Sequence, residues 1–317
     1  MHLKRLLWGL IGMAATLSSV HAQQYLCIGT GGTVGTYFPV GVLVAQLVSQ
    51  PGKILVTAQA SNGSLGNVIG VANGTLESGF VQADVASWAY AGTGIFADKA
   101  AVPSLRLIAN LYPESIHIVV KKGSGIKTVA DLRGKRVALD EAGSGTLINA
   151  RQVLNAYGLK ESDVQAEYIK PGMASDRLRA GMLDAFFLTA GAPAQAISDL
   201  ASSGFELALL PIDGPAATRL RAASPFFQTD TIEAGTYPGT AAAQTLAVGA
   251  LWVTSDKIRD DLIYEVTKSL FQPAAQKALA GGHVKGRLIT LQRAAQESGI
   301  PLHLGAQRFY REAGVLR

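Results

Sequence analysis

The chain has 317 residues, of which 48% are apolar and 16% charged, with 35 glycines and a single cysteine. Such a composition can bury large cores, which excludes a disordered or fibrous chain, and the length suits roughly two domains. The formal charge of +5 falls by two, to +3, once Lys4 and Arg5 leave with the leader described next. No Lys/Arg cluster with interleaved aromatics appears, so nucleic acid is not expected as a partner.

The N-terminus opens Met-His-Leu-Lys-Arg, runs apolar from Leu6 to Leu17, and closes on Ser-Ser-Val-His-Ala. A short positive region, about a dozen apolar residues and a small residue at the end describe a secretory signal peptide, residues 1–22, cleaved after Ala22. A membrane anchor would need about 20 apolar residues. Cys27 follows Gln24, Tyr25 and Leu26 rather than the small residues of a lipidation site. It reads as a small apolar residue of the first strand. A disulfide-free exported chain with an ample core suits a bacterial periplasm.

Short apolar runs alternate with helical patterns, predicting an α/β fold with mostly parallel strands. Strands are expected at Leu26–Ile28, Ile54–Ala58, Gly79–Val81, Leu105–Leu111, His117–Val120, Arg136–Leu139, Ala185–Leu188, Glu206–Leu210 and Ala247–Val253. Between them lie apolar helix faces: Val40, Leu43, Val44 and Leu47; then Leu147, Ile148, Leu154 and Tyr157; then Ile258, Leu262, Val266 and Leu270.

Three strand-to-helix turns are rich in Gly, Ser, Thr and Asn. They follow Ile28 (Gly-Thr-Gly-Gly-Thr), Ala58 (Gln-Ala-Ser-Asn-Gly-Ser) and Leu139 (Asp-Glu-Ala-Gly-Ser-Gly-Thr). A helix N-terminus offers unpaired N–H groups and the positive end of the macrodipole, so such turns can hold a carboxylate or phosphate without a buried cation. The plainer alternative is that Ser64 and Ser144 are N-caps. Nucleotide readings fail on spacing: no third glycine completes GxGxxG, and no GxxxxGK[ST] exists. Three histidines remain after the leader, His117, His283 and His303, too scattered for metal ligation. No serine stands in GxSxG. The chain is therefore expected not to be an enzyme and to need no cofactor.

Taken in order, several segments give the chain a family resemblance. They are Ile28-Gly-Thr-Gly-Gly-Thr-Val-Gly-Thr-Tyr-Phe-Pro, Gly63-Ser-Leu-Gly-Asn, Gly79-Phe-Val-Gln-Ala-Asp, Asp131-Leu-Arg-Gly-Lys-Arg-Val, Gly143-Ser-Gly-Thr-Leu, Gly181-Met-Leu-Asp-Ala-Phe-Phe, Gly191-Ala-Pro and Gly235-Thr-Tyr-Pro-Gly. Over its whole mature length the chain resembles the TAXI-type solute receptors of TRAP transporters. The resemblance implies a type II periplasmic binding protein, two α/β lobes around a ligand cleft. Lobe one would comprise 23–113 and 238–317, lobe two 114–237, with crossings near Tyr112–Ile116 and Thr236–Leu246.

The resemblance further implies a periplasmic monomer that closes on a small carboxylate or amino acid, such as glutamate, and delivers it to membrane subunits. Carried over residue by residue, the pocket would use Gly32, Thr33, Tyr37, Asn62, Ser64 and Gln82 from lobe one. Lobe two would offer Ser144, Gly145 and Thr146, with Gly191 and Tyr237 nearer the rim or hinge. One departure stands out: Asp140 and Glu141 replace small residues before Gly143, and would repel an anion or pair with a substrate ammonium. The alternatives are the binding protein of an ATP-driven importer and an exported hydrolase or lyase on the same fold.

Overall fold

The computed structural model describes residues 22–296 and 298–316; the expected signal peptide lies almost wholly outside them. The chain begins β1 (Gln24–Gly29), α1 (Tyr37–Val48), β2 (Ile54–Gln59), α2 (Ser64–Asn73), β3 (Ser78–Gln82) and α3 (Ala83–Ala91). A 17-residue strand, β4 (Leu105–Lys121), leads to β5 (Arg136–Ala138), α4 (Gly145–Ala156), β6 (Gln165–Glu167), α5 (Pro171–Arg179), β7 (Ala185–Ala190) and α6 (Gln195–Ser202). There follow β8 (Leu207–Leu209), α7 (Gly214–Ala223), β9 (Gln228–Ile232) and the long β10 (Ala243–Ser255). Four helices close the chain: α8 (Asp260–Leu270), α9 (Pro273–Gly282), α10 (Leu291–Ala294) and α11 (Leu304–Glu312).

The strands run in the order β2-β1-β3-β10-β4-β7-β5-β6, with β8 beside β4 and β9 beside β10. Pairs β1/β2, β1/β3, β5/β6 and β5/β7 are parallel, as βαβ units require. Every pairing of β4 and β10 is antiparallel, so the sheet is mixed rather than mostly parallel. The two runs expected at Leu105–Leu111 and His117–Val120 are one continuous strand. Its first half pairs with β10 and its second half with β7, so β4 passes from one lobe to the other. β10 makes the return passage: Ala243–Ala247 pairs with β9, Ala247–Gly249 faces Pro113–Ser115, and Leu251–Ser255 pairs with the start of β4. Register shifts fall between Gly249 and Leu251 and between Trp252 and Val253. Strands β6 and β9 were invisible to hydropathy because both are short, polar and at sheet edges.

Helices cover both faces of the sheet and create separate cores. Val40, Val44 and Val48 of α1 pack with Ile263, Val266 and Leu270 of α8 on one face of lobe one. Leu178, Phe186, Leu188, Ile197 and Leu200 fill the corresponding face of lobe two. A third core runs through both lobes, from Val68 and Val85 by way of Leu107 and Ile118 to Val153 and Leu220. Each fully buried aliphatic side chain contributes about 1.5–3 kcal/mol.

Asn67, the last residue of the Gly63-Ser-Leu-Gly-Asn segment, is wholly buried. Its amide donates to the carbonyls of Gly29 (3.1 Å), Thr30 (2.7 Å) and Phe80 (2.7 Å), tying the ends of β1 and β3 to α2. A conspicuous part of that motif is thus a staple of the fold.

Candidate ligand-binding cleft

The C-terminal ends of the parallel strands open onto one cleft between the lobes, the position expected of ligand sites in open α/β sheets. One wall is Gly31, Gly32, Gly35, Thr36 and Tyr37 before and within α1, Asn62–Ser64 at the start of α2, and Gln82. The opposite wall is Asp140, Glu141, Ser144–Thr146 and Pro171, with Leu188–Ala190 at the end of β7. Glu114, in the passage of β4 between the lobes, lines the space as well.

Of the eleven residues carried over from sequence, the cleft brings together Gly32, Tyr37, Asn62, Ser64, Gln82, Ser144, Gly145 and Thr146. Three fall elsewhere. Thr33 is exposed outside the cleft. Gly191 is buried behind it, accepting a 2.7 Å bond from the Thr36 hydroxyl and packed against the Lys285 stem. Tyr237 is fully buried in the lobe-two core, its hydroxyl 2.9 Å from His117 Nε2 and accepting from the Ala194 amide at 3.0 Å. Its place between Thr236 and Pro238 gave no sign of which way the ring turns.

The walls already touch. The first amides of α2, on Leu65 and Gly66, donate across the cleft to the Gly143 carbonyl at 3.0 and 3.1 Å. The Asn62 amide reaches the Ala142 carbonyl at 3.3 Å, and the Ala196 amide the Val34 carbonyl at 3.1 Å. Deeper in, Asn149 of α4 donates to Asp84 of α3 at 3.0 Å. The expectation that the α2 terminus holds an anion is corrected here: two of its amides are spent on a carbonyl of the facing lobe. Ser144 caps α4 by accepting from Leu147 N at 3.0 Å, and the Ser64 hydroxyl accepts from Gln82 N at 3.1 Å. Both serines nevertheless line the cleft.

The electrostatics of the cleft are acidic. Glu114 is 2% exposed and accepts a 2.6 Å bond from the Tyr37 hydroxyl. Burial pushes its carboxyl up to about 8, despite that bond and the influence of Lys285. Burial likewise raises Asp140 to about 7, against the opposing bond from Glu141 N. Glu141 is raised too, by partial burial, although Lys170 stands 3.6 Å away. Asp140 has φ +74°, the only non-glycine in the left-handed region among the described residues. Asp tolerates that region better than most residues, and such strain concentrates at functional sites. Gln82 Oε1 and Thr189 Oγ1 are buried and without a hydrogen-bond partner among the described residues. The list carried over from sequence omitted Glu114 and Thr189. The signal for Glu114 was a charged residue between two strand runs destined for burial.

The NMT1-like family matches residues 28–314. This chain belongs to the NMT1-like family. Membership of the TAXI-type receptors, expected from the ordered segments, is not shown. A protein of Escherichia coli K12 named for binding aliphatic sulfonates is 38% identical over 74 residues, 23% of each chain. The NMT1-like chain thus aligns with under a quarter of that relative's length. Among solved structures, the alkanesulfonate-binding protein SsuA of Xanthomonas axonopodis pv. citri, bound to MOPS, superposes with a TM-score of 0.52 at 19% identity, covering 92% of this chain and 84% of that one. PhnD1 of Prochlorococcus marinus (MIT 9301), in complex with methylphosphonate, gives 0.53 at 10% identity over 92% and 99%. A histidine-bound substrate-binding protein of a Streptococcus pneumoniae ABC uptake transporter gives 0.50 at 16% identity over 84% and 94%. At these identities the likeness establishes the fold: the NMT1-like chain is a type II periplasmic binding protein fold of two α/β lobes.

Proposed function

We propose that this protein is a periplasmic solute-binding receptor that closes its two lobes on a small carboxylate or amino acid and passes it to the membrane subunits of an importer. The observation that carries this reading is the seam across the cleft, where Leu65 N and Gly66 N of one lobe bond Gly143 O of the other. A ligand between such walls adds bonds to both lobes and so favours the closed arrangement. The proposed lobes are 23–113 with 238–317, and 114–237, each contributing one wall. Export follows from cleavage after Ala22, and among the described residues no helix is long and apolar enough to cross a membrane. Recognition involves no bond making or breaking: the cargo leaves as it entered, and the receptor works as a monomer.

An ATP-driven importer is the favoured destination, since the similar proteins include sulfonate-binding proteins and an ABC uptake receptor. The TRAP destination is favoured only by the ordered Gly-rich segments, one of which contains the structural Asn67 staple. Thermal unfolding of the purified protein with candidate solutes tests the receptor reading. A solute at about 100 times its Kd adds about 2.7 kcal/mol. Candidate substrates recovered chemically altered after incubation would overturn the reading. Uptake that stops on ATP depletion but survives collapse of ion gradients marks the ATP-driven route; the reverse marks TRAP.

A further inference from the structure

We infer that the cleft captures its solute through an ammonium group set against the carboxyl groups of Glu114 and Asp140. This rests on the solute-binding reading above and adds the chemistry of the cargo. The residues lining the cleft include Glu114, Asp140 and Glu141 but no Lys, Arg or His. Lys170 approaches Glu141 from outside the lining. Lys285 lines a separate hollow with Asp230, from which its charge also acts on Glu114. A sulfonate, phosphonate or dicarboxylate would meet three acidic groups there, offset only from outside the lining, by Lys170 beside Glu141 and by Lys285 acting on Glu114.

A second observation, independent of the charges, points the same way. Gln82 is 2% exposed and Thr189 7% exposed, both line the cleft, and Gln82 Oε1 and Thr189 Oγ1 have no partner among the described residues. The Gln82 amide oxygen requires a donor, and the Thr189 hydroxyl can accept from one as well. An ammonium brings three N–H donors and no acceptor, so it suits an amide oxygen, a hydroxyl and carboxylates together. A metal ion would need converging ligands, and among the described residues no three His, Cys, Asp or Glu side chains are grouped to hold one.

Size narrows the cargo further. The cleft volume is about 60 Å³, which suits a small amine or amino acid.

The surroundings add a proton to the transaction. Glu114 is faced by Tyr37, Tyr112, Asp84 and Lys285; Asp140 is faced by Glu141, Ser144 and Thr146. With burial holding both carboxyls partly protonated near neutrality, an arriving cation favours their ionised forms. Each proton lost goes to the buffer, and the ammonium keeps its own.

The test measures thermal stabilisation and calorimetric binding with the purified protein. The amine probes are glycine, β-alanine, γ-aminobutyrate and ethanolamine; the nitrogen-free probes are acetate, succinate, ethanesulfonate and methylphosphonate. At least one amine is expected to bind and stabilise, more tightly as pH rises from about 6 to about 8. Its binding enthalpy should change with the ionisation enthalpy of the buffer, a readout that needs no variant. Glu114→Gln and Asp140→Asn should each weaken that binding about tenfold or more, with unfolding still cooperative. Binding by the anions alone would overturn the inference and leave the receptor reading standing. Amine binding without proton release, or unaffected by either variant, would overturn the subsite. Silence from all eight probes would overturn the inference as well.

Discussion

Two buried polar clusters lie close to the crossing strands and behave oppositely. At the lobe-two end, the His117 Nδ1–H donates to Leu188 O at 3.0 Å, which leaves Nε2 to accept from the Tyr237 hydroxyl; that hydroxyl accepts in turn from Ala194 N. Every group has its partner, the imidazole is held neutral, and burial drives its pKa down to about 4. In the cleft, Glu114 has one hydroxyl partner, and Gln82 Oε1 and Thr189 Oγ1 have none among the described residues. Both clusters are buried, but only the second has unmet hydrogen-bonding capacity. Burial of polar groups therefore does not mark a binding site; what sets the second cluster apart is that its unmet oxygens line a cleft between the lobes.

The sharpest way to break this comparison is to remove the open cluster's charge. The Glu114 carboxyl titrates at about 8 in the folded protein against an ordinary value of 4.5. Between those values the folded state holds the extra proton, so this group's stabilising contribution is complete below the lower value and lost as pH rises toward the upper. Glu114→Gln keeps an acceptor for Tyr37 and removes that dependence. Denaturant unfolding should find the variant gaining on the wild type by on the order of several kcal/mol between about pH 5 and pH 8. Parallel stability curves would show that the carboxyl is not buried as described.

Closing the cleft is the next test. A Cβ at Gly145 would lie 2.2 Å from Gln82 Oε1 and 2.7 Å from Ser64 Oγ, both on the opposite wall. Gly145→Ala should hold the lobes apart and cost about 1–3 kcal/mol of solute affinity by titration calorimetry. The isolated stability of each lobe should change little.

In the saturated cluster the pattern reverses. Tyr237→Phe strands His117 Nε2 and Ala194 N, so denaturation should report a loss of about 1–3 kcal/mol, with solute affinity unmoved. A change in affinity would return Tyr237 to the site. The smallest effect is expected from Ser144→Ala, which removes the α4 cap and should cost about 1 kcal/mol. A much larger loss of binding than of stability would show that the hydroxyl also touches the cargo.

The difference between clusters also marks how far sequence could see. Gly-rich turns after strands located Gly32, Ser64 and Ser144–Thr146 on the cleft, because a strand end followed by a helix start occupies a fixed place in an α/β sheet. The same reasoning could not say what occupies the α2 amides. Their partner, Gly143 O, lies almost 80 residues away in the chain, on a turn whose approach depends on two lobes docking.

Tyr237 and Thr33 illustrate a second blind spot. Both sit in loops without periodicity, so nothing local tells which way a side chain turns. Glu114 illustrates a third: its neighbours announced a buried strand, but only the passage of β4 between lobes puts that carboxyl in the cleft floor.

Local chemistry alone determined the α/β alternation, the helix faces, the glycine-rich turns and the misfit of nucleotide and nucleophile motifs, since each depends on residues within a few positions of one another. Tertiary structure alone decided that the long strands are antiparallel bridges, that the α2 amides are already engaged, and that the cleft is acidic with oxygens unmet. Those features arise where segments remote in the chain meet away from water, and burial, which no short stretch of sequence encodes, sets both the charge of a carboxyl and the cost of leaving an oxygen unpaired.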